Sequence, residues 1–166
     1  SLLGETQLKL IVFGCQQIAV DFIKFIKTRP DFELPLVVTY ELPLDVSYGY
    51  ESVPQFCKDN AIPFEEPQRL DASIISRIEQ INPDIIFSIY YRKLFPKKLI
   101  DIPKLGCVNV HPSLLPEYRG PTPTAWAILN NESTIGVTIH YIDQGIDTGD
   151  ILAQEQIDIG EYETGF

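Results

Sequence analysis

The sequence predicts an α/β domain: a mostly parallel sheet with helices on both faces. Short β-branched runs alternate with amphipathic stretches of helical length, the pattern of strands joined by crossover helices. The first run is almost wholly apolar, as a strand covered on both sides must be. At 166 residues the chain has the size of one domain. Such a chain buries on the order of 70% of its unfolded surface without disulfide or metal staples. No internal repeat, low-complexity tract or linker divides it.

Leu8-Lys9-Leu10-Ile11-Val12-Phe13-Gly14 is that first strand, closed by a glycine. Residues 16–28 follow as a helix, with Phe22, Ile23 and Ile26 on one face. Residues 34–40 form a second strand. Residues 50–60 are an amphipathic helix with Pro54 in its first turn. Residues 62–64 read as a short strand, and 71–81 as a helix with Asp71 as N-cap. Residues 84–89 and 105–110 are further strands, with a short helix between them that carries Lys97 and Lys98. Residues 121–130 are a helix that Thr122 can cap and Pro123 can begin. Residues 135–142 and 151–159 end the pattern as strands.

Composition excludes several classes. Hydrophobic residues make up 45% and charged residues 22%, which is globular rather than disordered or collagenous. No apolar run approaches the roughly 18–20 residues that span a bilayer, so no membrane partner is expected. Cys15, Cys57 and Cys107 are scattered and lack CxxC spacing, which argues against a structural zinc site and for a reducing, cytoplasmic setting. The chain has no methionine, so it is expected to be processed, tagged or edited. Residues 1–7 are expected to be a flexible tail.

Charge is uneven. Residues 1–119 hold 13 basic and 15 acidic residues, a balance of −2; residues 120–166 hold eight acidic residues and no Lys or Arg, a balance of −8. Nucleic-acid affinity comes largely from cations that neutralise phosphates. No nucleic-acid partner is expected of a chain at −10.

In an open parallel sheet, ligands bind beyond the carboxyl ends of the strands, where strand order reverses. The loops after Gly14, Tyr40, Ile89 and Val110 are therefore the candidates, and the last is rich in polar chemistry. Asn109 and His111 are two apart, so a strand would project them together. A second polar turn, Asp143-Gln144-Gly145-Ile146-Asp147-Thr148-Gly149-Asp150, could bring a carboxylate to them. An amide, an imidazole and a carboxylate can polarise a carbonyl, stabilise an oxyanion and move a proton. The same residues could equally close a turn, fill a loop and cap a bend.

Residues 109–120, Gly136-Val137-Thr138-Ile139-His140 and Gly145-Ile146-Asp147-Thr148-Gly149-Asp150-Ile151 together resemble the 10-formyltetrahydrofolate-dependent formyltransferase family. Its members include glycinamide ribonucleotide formyltransferases, methionyl-tRNA formyltransferases, formyltetrahydrofolate hydrolases and nucleotide-sugar N-formyltransferases. The order of elements matches over residues 8–159, and the sequence specifically from about residue 84. The joint pattern is Asn-x-His, then Ser113-Leu114-Leu115-Pro116, then the aspartate.

The resemblance implies a Rossmann-like formyltransferase fold and a one-carbon transferase with 10-formyltetrahydrofolate as donor and no metal. It implies that Asn109 hydrogen-bonds the formyl oxygen as it becomes an oxyanion. His111 supports the same tetrahedral intermediate and transfers protons. Asp147 orients the histidine and, through water, helps deprotonate the attacking amine. Tyr90, Tyr91, Arg92 and Leu94 match the segment that lines the pteridine, and Tyr141, Ile142, Asp143, Gln144, Gly145 and Ile146 the loop that wraps it. Core packing remains the other reading of Tyr90, Tyr91 and Leu94, and His140 reads equally as a packed residue or a substrate contact.

Departures from the subfamilies sort the acceptor. The stretch after the first strand, Phe13-Gly14-Cys15-Gln16-Gln17-Ile18, has one glycine and no serine, unlike the phosphate loop of the glycinamide ribonucleotide enzymes. Neither the basic second domain of the tRNA enzymes nor the regulatory domain of the hydrolases is expected with this chain. The expected acceptor is a small primary amine, an amino sugar on a nucleotide carrier. The catalytic domain is taken as residues 8–166, shortened at its C-terminal end, and a homodimer is compatible with it. The alternatives are the catalytic domain of a methionyl-tRNA formyltransferase, a glycinamide ribonucleotide formyltransferase, and a folate-binding relative without turnover.

Overall fold

In the computed structural model of the protein, the described residues are 7–41, 51–111, 134–142 and 151–158. They form β1 (Leu8–Gly14), α1 (Gln16–Lys27), β2 (Phe32–Val38), α2 (Val53–Asp59), β3 (Phe64–Glu65), α3 (Ala72–Ile81), β4 (Ile85–Ile89), α4 (Lys97–Ile100), β5 (Cys107–His111), β6 (Thr134–Tyr141) and β7 (Ile151–Asp158). Among the described residues one sheet runs β3-β2-β1-β4-β5-β6-β7. Strands β1 to β5 pair in parallel, and β6 and β7 extend the sheet antiparallel. Strand order reverses between β1 and β4.

Strand alternation builds the core twice over. From β1, Leu10 and Val12 face one side, where Ala19, Val20, Ile23 and Ile26 of α1 and Val53 and Cys57 of α2 cover them. Ile11 and Phe13 face the other, against Ile74, Ile75 and Ile78 of α3 and Leu99 of α4. Helices on both faces are thus present, as the sequence predicts. Gly14 lets α1 turn back onto β1, because a Cβ there would lie 2.7 Å from the Ala19 Cβ.

Several boundaries differ from expectation, each for a local reason. β2 begins at Phe32 rather than residue 34, and its register against β1 slips between Lys9 and Ile11, opposite Pro35. Proline cannot donate to a ladder and is tolerated at such an irregularity. The helix expected from residue 50 begins at Val53, because Ser52 leaves the helical conformation and its hydroxyl caps the Gln55 amide. β3 starts at Phe64, since Pro63 contributes only its carbonyl, to the Val37 amide. β5 starts at Cys107 because Gly106 sits at φ 93, a turn conformation. Asp71 caps α3 as expected, through the Ser73 and Ile74 amides. The helix expected over 121–130 lies outside the described residues.

At the amino edge of the sheet, Asp84 ties β1 to β4. Its carboxylate accepts from the Lys9 amide at 2.7 Å, and its own amide donates to the Lys9 carbonyl at 2.8 Å.

Candidate active site

The carboxyl ends of β1, β4 and β5 lie side by side. Gly14 pairs with Ile89, and Ser88 with Asn109. Past the strands, the Cys15 amide donates to the Ile89 carbonyl at 3.1 Å. Cys107 of β5 belongs to the core under α3 and α4, so Asn109, two residues on, faces the same side. It is half-buried there, next in register to the buried Ser88. His111 is the last residue of β5 and pairs with Thr138.

Around this edge is a cluster of aromatic and polar groups. Tyr91 meets Phe13 edge-on at 5.1 Å between ring centroids and Tyr40 at 5.2 Å. The Arg92 amide donates to the Tyr40 hydroxyl at 3.3 Å. Lys93 sends its ammonium to the carbonyls of Pro67 and Gln68 and lies over the Tyr40 ring. The Cys15 thiol lies 3.9 Å from the Thr39 hydroxyl and 3.8 Å from the Tyr40 carbonyl.

Burial keeps the thiol and the two phenols of this cluster neutral. Burial raises the Cys15 thiol above its usual range and moves the Tyr40 hydroxyl up to about 12. Tyr91 is likewise raised by burial. Cys15 is therefore a thiol at neutral pH, and a thiol is a poor nucleophile.

The expected site residues fall as follows. Asn109 and His111 stand at alternate positions at the end of β5, and Asn109 pairs across with His140. Tyr90 is half-buried, Tyr91 is buried in the core, Arg92 is exposed, and Leu94 is 77% exposed. Tyr141 pairs with Val108; the Ile142 amide donates to the Cys107 carbonyl at 2.8 Å, and Ile142 packs on the α3 and α4 side. Asp143, Gln144, Gly145, Ile146 and Asp147 lie outside the described residues. Tyr40 and Cys15 were not singled out as site residues from sequence. The loop after Tyr40 was among the candidates, but only the fold brings that tyrosine onto Tyr91 and Arg92.

The chain matches the formyl transferase family over residues 46–165. It is 37% identical over 158 residues to a methionyl-tRNA formyltransferase of Clostridioides difficile (strain 630), which covers 93% of this chain and 51% of that protein. The chain spans about half the length of these curated relatives. Its fold is similar to a phosphoribosylglycinamide formyltransferase from Bacillus halodurans, with a TM-score of 0.68 and 26% identity, over 95% of this chain and 83% of that one. It is also similar to an N-formyltransferase from Helicobacter canadensis in complex with folinic acid and dTDP-3-aminofucose, with a TM-score of 0.62 and 28% identity, over 92% of this chain and 54% of that one.

Proposed function

The chain belongs to the formyl transferase family, and from that premise we propose that residues 8–166 act as a catalytic domain that moves a formyl group from 10-formyltetrahydrofolate to a primary amine. The observation that carries this reading is Asn109, half-buried at the carboxyl end of β5 beside the point where strand order reverses, with His111 two residues on. The donor supplies the electrophilic formyl carbon. The Asn109 amide donates to the formyl oxygen as negative charge gathers on it, an effect on the order of 10²–10³ in rate for one such donor. His111 and Asp147 take the proton that the amine sheds and deliver it to N10 of the tetrahydrofolate as its bond to the formyl carbon breaks, proton transfer worth roughly 10²–10⁴.

Chain length supports Asp147 in that role. The turn leaves the sheet at Ile142 beside Cys107, two residues below Asn109, or about 7 Å along the strand. Five further residues reach up to about 17 Å, enough to return to Asn109 and His111.

The edge also suits the donor. Exposed Leu94 and half-buried Tyr90 offer apolar and aromatic surface, and exposed Arg92 offers a donor fork. Tyr141, Ile142, Asp143, Gln144, Gly145 and Ile146 complete the pocket in this reading.

For the acceptor, an amino sugar on a nucleotide carrier fits best. The similarity to a protein bound to dTDP-3-aminofucose supports it, and a net charge of −10 opposes a polyanion. A second reading, the aminoacyl end of a tRNA, is favoured by the sequence similarity to methionyl-tRNA formyltransferases. Incubation with 10-formyltetrahydrofolate and a panel of amino-sugar nucleotides, glycinamide ribonucleotide and methionyl-tRNA, read by mass spectrometry, separates them. A formylated amino sugar is the expected product; failure to bind folate in calorimetry contradicts the whole reading.

A further inference from the structure

Between β4 and α4, three features that a folded chain ordinarily avoids fall within five residues. Tyr90 sits at φ 54, in the left-handed region that costs a residue with a Cβ. Tyr91 is 8% exposed, and its hydroxyl is a buried polar atom without a hydrogen-bond partner among the described residues. Buried hydroxyls are nearly always paired, so an orphan needs a reason. Leu94 is 77% exposed, an apolar side chain held in water.

The segment is not loose. The Arg92 amide is held by the Tyr40 hydroxyl, and the Lys93 ammonium by the carbonyls of Pro67 and Gln68 at 2.6 and 2.9 Å. These tethers fix one arrangement in which a backbone angle, a hydroxyl and an apolar surface are all unsatisfied at once. Local rules broken together beside a site mark a segment whose favoured arrangement involves something else. A ligand with an apolar aromatic body and hydrogen-bonding edges answers the hydroxyl and the apolar surface, and a shift of the segment answers the backbone angle.

We propose that Tyr91 is a positioning residue that couples ligand occupancy to the setting of the 90–94 segment. Its ring packs against Phe13, Tyr40 and Phe95, and among the described residues its buried hydroxyl has no hydrogen-bond partner. Folate binding covers Leu94 and shifts the segment, so that the Tyr91 hydroxyl pairs with a polar group of the ligand. This inference rests on the folate reading above. It adds to that reading an energetic link between an unsatisfied free state and a satisfied bound one.

Tyr91→Phe removes the hydroxyl and keeps the ring. The melting temperature of the free chain should stay level or rise, because an unpaired buried polar atom is lost without leaving a cavity. Affinity for folinic acid in calorimetry should fall about three- to tenfold, the size of one lost hydrogen bond. Hydrogen exchange over 85–96 should change when folinic acid binds the wild-type chain and change less in the variant. A lowered melting temperature would mean that the hydroxyl is already paired, and would overturn the inference. So would unchanged affinity or unchanged exchange, even with the folate reading intact. Failure of the wild-type chain to bind folinic acid would instead overturn the folate reading, and this inference with it.

Discussion

At the scale of single residues, the site separates what a sequence can state from what only folding assembles. Asn109 and His111 were legible because they are two apart at the end of an apolar run, and a strand places them at alternate positions. Asp147 rests on resemblance alone and lies outside the described residues; nothing in its spacing ties it to β5. Tyr40 and Cys15 were missed because their partners are far away in sequence: Arg92 for the Tyr40 hydroxyl, Thr39 for the Cys15 thiol. His111→Ala and Asp147→Ala should each lower turnover by about 10²-fold or more. The double variant should lose far less than the product of the two, because both act on one proton. Steady-state rates of the three variants test this. Near-normal turnover of Asp147→Ala would reassign the carboxylate to Asp143 or Asp150.

At the scale of elements, the strands of the core were legible because each is a short apolar run, and their ends were less so. Pro35, Pro63 and Gly106 each moved a boundary by acting on the ladder rather than on the hydrophobic pattern. α1 begins at Gln16 as expected, though the φ of 69 that Gln16 takes is announced by nothing in its side chain. Two substitutions probe elements directly. Asp71→Ala removes the acceptor for the Ser73 and Ile74 amides and should cost about 0.5–2 kcal/mol in urea unfolding. Gly14→Ala forces a methyl to within 2.7 Å of the Ala19 Cβ, where neither backbone can yield cheaply. A cost of about 1–3 kcal/mol is expected. A neutral Gly14→Ala would mean that α1 does not approach β1 this closely.

At the scale of the whole molecule, sheet order was not legible, but its consequence was. The reversal between β1 and β4 needed the fold, while the rule that ligands gather beyond carboxyl ends singled out the loops after Gly14, Tyr40, Ile89 and Val110 from sequence. Two buried thiols and one half-buried phenol tie stability to pH. Burial raises Cys57 from 9.0 to about 11, Cys107 from 9.0 to about 12 and Tyr40 from 10.0 to about 12. Their folded values exceed their unfolded ones, so their contribution is complete below about pH 9 and is lost as pH rises toward 12. Urea midpoints should therefore fall steadily over that window; a flat profile would mean that these groups are solvated. The acidic balance of the chain bears on its partner. Filter binding of initiator tRNA should be undetectable at physiological salt. Micromolar binding that weakens steeply with salt would instead favour the tRNA acceptor.

The role of Asn109 as the donor to the developing oxyanion is most directly tested by comparing single-turnover formyl transfer in the wild-type chain and Asn109→Ala, with folinic acid affinity measured alongside. A rate lower by about 10²–10³ at nearly unchanged affinity is expected. An unchanged rate, or a loss that lies wholly in folate affinity, would contradict it.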